Sequence, residues 1–238
     1  MHKHREMQIA PIGDQLSYVA RESYNLLRTN LSFTLMKNGG SGSVVAVTSS
    51  CPGDGKSSTS VNLAYTLACA GHKVLLIDGD MRLPSLNEIL DVSEHSGLSN
   101  ILAGQADISV AIPVLTEGLF YIGAGECPPN PSELIGSVAM DTFLAKAREA
   151  YDYIIVDTPP VLIVSDCLAL SKYVDGFLMV VRHGVSRRRD VKEAVKSLRF
   201  SGTRVLGFVY NGNTGKQASR YSGYRDRKLA TKNKHDTE

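Results

Sequence analysis

The amino-acid sequence predicts an α/β protein whose mostly parallel β-sheet carries helices on both faces. Two patterns support this prediction. Short apolar runs alternate with helix-length amphipathic stretches, and the first run leads into a turn that ends in Gly-Lys-Ser. Strands that are apolar throughout are typical of parallel sheets, because the connecting helices cover both faces. With 238 residues, 43% of them hydrophobic, the chain is long enough for one sizeable core.

The strands and helices of the alternating part are predicted from apolar runs and from helical periodicity. Six apolar runs are interpreted as strands: Val44–Thr48, Val74–Ile77, Leu119–Ile122, Tyr153–Val156, Phe177–Val181 and Val205–Tyr210. Helices are predicted near Lys56–Ala70, Ser137–Ala150, Ser165–Tyr173 and Ser186–Ser201. Gly71 follows the first of these helices and is suited to a C-terminal cap.

The two ends of the chain differ from this alternating part. Leucines and other apolar residues recur at helical spacing and predict a helix over residues 14–37. From Gly215 onward there are seven Lys or Arg against three Asp or Glu, a net charge of +4. Almost nothing in this tail could be buried, so we expect it to be flexible. The predicted organisation is an N-terminal segment (1–36), a nucleotide-binding domain (37–213) and a basic tail (214–238).

Composition limits the class of protein. The formal net charge of +2 argues neither for nor against a nucleic-acid partner. The four cysteines are scattered without a CxxC pair, which favours reduced thiols over a disulfide framework or a zinc site. No apolar run approaches the roughly 20 residues that span a bilayer, and the first residues lack a signal-peptide core. A cytoplasmic protein is therefore expected.

The stretch "SSCPGDGKSS" is the strongest motif. Gly55-Lys56-Ser57 match the end of the phosphate-binding pattern GxxxxGK[ST], while Ser50 replaces its first glycine. Glycines let the loop wrap with its N–H groups inward, and the following helix adds its positive dipole end. We expect Lys56, in a solvent-facing loop, to reach the phosphates of ATP and Ser57 to bind Mg²⁺. The predicted nucleotide-binding residues of the loop are Pro52, Gly53, Asp54, Gly55, Lys56, Ser57 and Ser58.

Carboxylates follow two other predicted strands. Asp78 and Asp80 end the run "VLLID", Arg82 follows them, and Asp157 ends the run "YIIVD". The carboxyl ends of parallel strands form the ligand crevice, so these side chains are expected near the phosphate loop. A solvated acidic turn is the alternative for the first pair, and a surface ion pair is the alternative for Arg82.

These motifs resemble those of the bacterial protein-tyrosine kinases (BY-kinases), in particular the free-standing kinases of capsule and exopolysaccharide operons. The resemblance covers about residues 15–213 in order, through "RESYNLLRTNLSF", "LLIDGDMRLPSL", "GLSNILAG", "PPNPSELI" and "VLGFVYNGN". It implies a P-loop NTPase fold of the MinD/ParA type, with ATP and Mg²⁺ as cofactors. It also implies phosphoryl transfer to tyrosine in cellular proteins and in the chain itself.

The resemblance implies roles for individual residues. Lys56 and Ser57 correspond to the Walker A lysine and hydroxyl, Asp78 and Asp80 to the Walker A′ aspartates, and Asp157 to the Walker B aspartate. The implied Mg²⁺ ligands are Ser57, Asp78, Asp80 and Asp157.

Three further roles are hypotheses. Asp78 is the candidate to orient or deprotonate the attacking tyrosine hydroxyl. Arg82 is a candidate to hold phosphate or the incoming tyrosine. Asn211, at the end of the last strand, is a candidate to touch the adenine.

The resemblance also assigns functions to the two ends. The tail segment "RYSGYRDR" offers Tyr221 and Tyr224 as autophosphorylation sites, presented by one subunit to its neighbour. The family's N-terminal helix commonly reads ExxRxxR and packs between the subunits of a ring. Here the positions are Glu22, Asn25 and Arg28, so the first arginine is replaced and a ring is expected to be weaker or of different size. An ordinary helix docked on its own domain is the alternative.

The implied partners are a membrane-bound polysaccharide chain-length regulator that activates the kinase, a second copy of this chain, and protein substrates. The regulator would recruit the cytoplasmic chain to the inner face of the membrane, and no nucleic acid is expected.

One alternative function is a partitioning ATPase. Its loop usually carries a second lysine in the pattern KGGxGK[ST], and Cys51 occupies that position here. Another alternative is a non-catalytic, nucleotide-binding regulatory subunit.

Overall fold

The computed structural model of the protein describes residues 11–35, 42–93 and 96–212. Within them, seven strands form one sheet: β1 (Ser43–Ser49), β2 (Val74–Asp78), β3 (Ile112–Pro113), β4 (Leu119–Ile122), β5 (Tyr153–Asp157), β6 (Gly176–Arg182) and β7 (Val205–Asn211). Their order across the sheet is β3-β4-β2-β5-β1-β6-β7. Every neighbouring pair is parallel except β3 and β4, which run antiparallel. The predicted mostly parallel sheet is therefore confirmed.

Helices cover both faces of the sheet. The α-helices are α1 (Tyr18–Leu35), α2 (Lys56–Ala68), α3 (Leu86–Leu90), α4 (Leu98–Leu102), α5 (Pro131–Ile135), α6 (Val138–Ala150), α7 (Asp166–Leu170) and α8 (Arg188–Phe200). One hydrophobic core lies between the sheet and α1, α2 and α3, and the other lies between the sheet and α4 to α8. In β1, Val45 and Val47 enter the first core while Val44 and Ala46 enter the second. Burial on both faces explains why this strand is apolar along most of its length.

The N-terminal helix is shorter than predicted. A 3₁₀ turn at Gly13–Gln15 precedes α1, and Leu16 between them is extended, with ψ at 138°. The Ser17 hydroxyl then accepts a hydrogen bond from the N–H of Ala20 at 3.3 Å, as an N-capping side chain does. Leu31 and Leu35 of α1 share a core with α2, so this helix is packed on the nucleotide-binding domain.

Among the strands and α-helices, four short elements were absent from the sequence prediction, namely β3, α3, α4 and α5. They contain only two to five residues each. Such lengths are too short for apolar periodicity to separate them from loops. The predicted helix Ser165–Tyr173 is also shorter in the structure, where only Asp166–Leu170 is α-helical.

Sheet register brings the functional strand ends together. Asp78 of β2 lies directly beside Asp157 of β5. Just after Asp78, the N–H of Gly79 donates to the carbonyl oxygen of Asp157 at 2.8 Å. A Cβ atom on Gly79 would lie 2.8 Å from that oxygen and 2.9 Å from a Val156 methyl carbon. The absence of a side chain at Gly79 therefore allows the two acidic strand ends to approach closely.

We expect Gly79→Ala to lower the free energy of unfolding by about 1–3 kcal/mol, because the added methyl group meets backbone that has no room to move. Urea unfolding followed by circular dichroism measures this effect. Gly207→Ala is the matched control, since a Cβ atom there has no neighbour within 4 Å. Equal loss of stability in the two variants would contradict the role given to Gly79.

Candidate nucleotide-binding and phosphoryl-transfer site

The phosphate loop connects β1 to α2 and has the backbone that its glycines permit. Gly53 and Gly55 have φ angles of 80° and 92°, in the left-handed region that favours glycine. Gly55 immediately precedes Lys56, the first residue of α2. A Cβ atom at Gly55 would also overlap the side-chain amide of Asn211. Glycine at position 55 is thus required both by the turn and by the close approach of β7.

Side chains from distant elements hold the loop in place. Asp54 is fully buried, and its carboxylate accepts from the Ser186 hydroxyl at 2.8 Å and from the Ser50 hydroxyl at 3.4 Å. Arg182 donates to the carbonyl oxygen of Gly53 at 2.8 Å. Sequence reasoning missed Ser186 and Arg182, which lie 132 and 129 residues from their partners and carry no local motif.

The predicted loop residues differ in exposure. Asp54 is buried and its carboxylate is directed to loop residues and Ser186, so its side chain supports the loop. The others divide into the exposed Pro52 and Gly53 and the partly buried Gly55, Lys56, Ser57 and Ser58.

Lys56 lies among carboxylates. Its ammonium is 3.3 Å from an oxygen of Asp80, 3.5 Å from one of Asp157 and 3.4 Å from the Ser57 hydroxyl. The expected solvent-facing position is wrong, because the Lys56 side chain begins α2 and is only 12% exposed. Burial lowers the pKa of Lys56, but the charges of Asp157 and Asp80 outweigh burial and raise it above its ordinary value. Lys56 therefore stays positively charged.

Asp78 is fully buried and accepts three backbone hydrogen bonds. One carboxylate oxygen accepts from the N–H of Asp80 at 3.1 Å, and the other accepts from Ser85 at 3.1 Å and Leu86 at 3.0 Å. Burial, with the neighbouring charge of Asp157, nevertheless raises the pKa of Asp78 to about 7. A carboxyl group with that pKa can accept a proton at neutral pH.

Asp157 is the second fully buried carboxylate of the site. One of its oxygens accepts from the Ser60 hydroxyl at 3.0 Å, and the other faces Lys56. Burial raises the pKa of Asp157, and the Lys56 ammonium opposes the rise. Ser60 is a further residue that the sequence prediction missed.

The protein oxygens of this site could hold Mg²⁺ only if phosphate and water oxygens completed its coordination shell. Within the described residues, no three His, Cys, Asp or Glu side chains converge into a metal site. The carboxylate of Asp78 already accepts three backbone hydrogen bonds, which leaves few of its lone pairs for a metal ion. Mg²⁺ is normally held by one or two protein oxygens, with phosphate and water completing the shell. Ser57, Asp80 and Asp157 can supply protein oxygens for such a shell.

Arg82 is held by an acidic residue that sequence reasoning missed. Its guanidinium contacts both carboxylate oxygens of Asp166, at 2.8 and 3.1 Å, and donates to the Ser132 hydroxyl at 3.3 Å. Asp166 is almost fully buried and also accepts from Ser132. Arg82 is therefore in an ion pair, as the alternative for this residue supposed, but its acidic partner is buried and not at the surface. The ion pair leaves the guanidinium anchored beside the site, with 41% of the side chain exposed.

The remaining predicted residues fall into three groups. Asn211 donates to the carbonyl oxygen of Asp54 at 2.9 Å, so its amide supports the loop. On α1, Asn25 donates to Glu22 at 3.2 Å and Arg28 donates to the Thr66 carbonyl oxygen of α2 at 3.3 Å, all within one chain. The proposed phosphorylation sites, Tyr221 and Tyr224, lie outside the described residues.

The fold and the site together define a P-loop nucleotide-binding protein. A phosphate loop follows the interior strand β1, and buried carboxylates end β2 and β5 close to it. Comparison with known proteins agrees, since a family model described as "AAA domain" matches residues 42–183. A solved structure of MinD from Pyrococcus horikoshii shares the fold, with a TM-score of 0.60 and 22% identity over 71% of this chain and 70% of that one.

More similar proteins identify the family. "Tyrosine-protein kinase YwqD" of Bacillus subtilis is 35% identical over 85% of each chain. "Tyrosine-protein kinase CpsD" of Streptococcus pneumoniae is 37% identical over 81% of this chain and 84% of its own. The kinase domain of Escherichia coli tyrosine kinase ETK superposes with a TM-score of 0.77 and 35% identity over 81% of this chain and 75% of that one. The chain therefore belongs to the bacterial tyrosine-protein kinases.

The raised pKa of Asp78 predicts a pH-dependent loss of stability in protein free of nucleotide and metal. Because the pKa rises from an ordinary 3.8 to about 7 on folding, the protonated form favours the folded state. This contribution is complete below about pH 4 and is lost as the pH rises through 7. Urea unfolding across this range should show a steeper loss for the wild-type protein than for Asp78→Asn, which cannot titrate. Parallel curves would contradict the prediction.

Proposed function

We propose that the chain transfers the γ-phosphoryl group of ATP to tyrosine side chains, including those of its own tail in a neighbouring subunit. One observation carries this proposal: the Lys56 ammonium lies at the start of α2, between the Asp80 and Asp157 carboxylates and beside the phosphate loop. That placement suits a cation that neutralises phosphate charge. The identity of at least 35% with two tyrosine kinases supports tyrosine as the acceptor.

In this proposal the residues of the site have different roles in the reaction. Backbone N–H groups of the phosphate loop and Lys56 would bind the phosphates, and Ser57, Asp80 and Asp157 would hold Mg²⁺. When bound, Mg²⁺ supplies positive charge that stabilises the transferring phosphoryl group. Asp78 would orient the tyrosine hydroxyl and accept its proton. Positioning and charge neutralisation dominate phosphoryl transfer, so the proton acceptor contributes less than the cations.

Arg82 and the ends of the chain have proposed roles as well. The Arg82 guanidinium keeps an exposed fraction and would guide an incoming tyrosine or phosphate from its anchor on Asp166. Glu22, Asn25 and Arg28 would take part in subunit contacts. Where the family pattern has arginine at position 25, this chain has Asn25. Its hydrogen bond to Glu22 would take the place of an ion pair between Glu22 and that arginine.

Membership of the family supports a proposal for the cellular role. We propose that the kinase regulates capsular or exopolysaccharide assembly with a membrane-bound chain-length regulator as its activator, which would recruit it to the inner face of the cell membrane. Among the helices in the described part of the chain, none has the length and apolarity to span a bilayer.

Lys56→Met should lower autophosphorylation at least about 100-fold, because one preorganised charge at a phosphoryl-transfer site contributes on that scale. Intact-mass spectrometry after incubation with Mg-ATP, from phosphatase-treated protein, measures the added phosphates. Lys146→Met is the matched control, since Lys146 is exposed on α6. Thermal unfolding by circular dichroism verifies that both variants are folded. Undiminished phosphorylation of a folded Lys56→Met variant would place the phosphate site elsewhere.

Changing both Tyr221 and Tyr224 to Phe should remove most self-modification while ATP binding is retained, because the acceptors and the phosphate loop are separate. Peptide mass spectrometry locates the phosphates, and Tyr210→Phe is the control. Mixing this double variant with Lys56→Met tests transfer between subunits. Phosphate should then appear on the tail of the Lys56→Met chain, which cannot modify itself. Phosphotyrosine persisting in the double variant alone would show that other acceptors are used.

A further inference from the structure

Helix α8 presents a continuous basic face to solvent. Its buried residues, Ala194 and Leu198, face the sheet. At about 100° per residue, its exposed cations fall within an arc of about 100° on the opposite side. These cations are Arg188, Arg189, Lys192, Lys196 and Arg199.

Within the described residues, the cations of this face have no acidic partner. Each ion pair in that part of the chain lies elsewhere, on Lys56, His72, Arg82 or Arg148. Glu193 at the edge of the arc is the one acidic side chain of α8 that is exposed. The whole chain has a formal net charge of only +2. The five cations of this face are therefore available to an external anion, in addition to those of the basic tail.

Apolar side chains project from the same region. Phe200, the last residue of α8, is 95% exposed, the highest value among the large hydrophobic side chains of the described residues. It follows the basic arc by only about 20°. Val185, in the turn before α8, is 55% exposed. A surface that combines cations with protruding apolar groups matches the boundary between lipid headgroups and acyl chains.

We propose that the outward face of α8 docks directly on an anionic phospholipid surface. The lysines and arginines contact headgroup phosphates, and Phe200 inserts beneath them. Charge alone would suit the phosphates of duplex nucleic acid equally well, but the exposed apolar ring of Phe200 beside the arc fits the acyl boundary of a lipid surface. This docking is independent of tyrosine phosphorylation and of any membrane-bound activator.

The first turn of α8 adjoins the nucleotide site, on a side of the helix away from the basic face. Ser186 and Arg182, which hold the phosphate loop, lie in and before the turn that leads into α8. Cys51 of the loop is 4.0 Å from Asp190 in the first turn of that helix. A chain docked through α8 would therefore hold its phosphate loop next to the docked helix.

Sedimentation of the full chain with vesicles tests the proposal without ATP. Vesicles of phosphatidylcholine with about 30% phosphatidylglycerol should bind the chain, and pure phosphatidylcholine should not. Lys192→Ala/Lys196→Ala should weaken this binding about thirty-fold, since each lysine near an anionic surface contributes about fivefold. Phe200→Ala should also weaken it, and its relative effect should persist in about 0.5 M salt, where charge is screened.

Lys146→Ala/Lys172→Ala is the matched control, because it removes the same charge from exposed positions outside α8 and should change binding less than twofold. The basic tail is present in all variants. Equal binding by both double variants would overturn the proposal, as would failure of the wild-type chain to bind. Binding of random double-stranded DNA without binding of vesicles would show that nucleic acid is the ligand. A change of oligomeric state in the α8 variant alone, with vesicle binding intact, would assign the face to a second copy.

Discussion

The Lys56 ammonium beside the buried carboxylates is the interaction on which the site depends. Parallel register places Asp78 and Asp157 side by side, away from water. Two charges of the same sign in such a place repel strongly. One lysine cannot neutralise three ionised carboxylates, so the pKa values of Asp78 and Asp157 are raised, and a further cation would favour their ionised forms. The same lysine that stabilises the carboxylate cluster is the group that nucleotide phosphate would attract.

The conformation of the phosphate loop depends on side chains from β6, β7 and the turn after β6 as well as on the loop's own sequence. Its carbonyl groups and its buried aspartate contact Arg182, Ser186 and Asn211, all contributed by β6, β7 or the turn between β6 and α8. These contacts fix the loop before any ligand arrives, which lowers the entropy lost on binding. A substitution in β7 can therefore disturb nucleotide binding although β7 lies at the edge of the sheet.

The sequence predicted those parts of the site that depend on a short stretch of the chain. The strand ends at Asp78 and Asp157 and the Gly55-Lys56-Ser57 segment were predictable, because apolar runs and a spaced motif mark them. Residues that meet only in the folded chain carry no local sequence pattern. The partner of Arg82, Asp166, lies 84 residues away and could not be predicted for this reason. The exposure of Lys56 was mispredicted for the same reason, since the strands that enclose it are distant in sequence. The helices α3, α4 and α5 were too short to show a period.

The hydrogen bond between Asn211 and the phosphate loop has a mechanical consequence. Asn211 is the last residue of β7, and the chain continues through Gly212 toward the tyrosines of the tail. If the proposed transfer between subunits takes place, a subunit that captures the tail of its neighbour would pull on a strand whose terminal amide is bonded to that neighbour's loop. Tension on the acceptor segment would then be transmitted to the nucleotide site of the subunit that donates it. The tail would in that case act as a tether as well as a substrate.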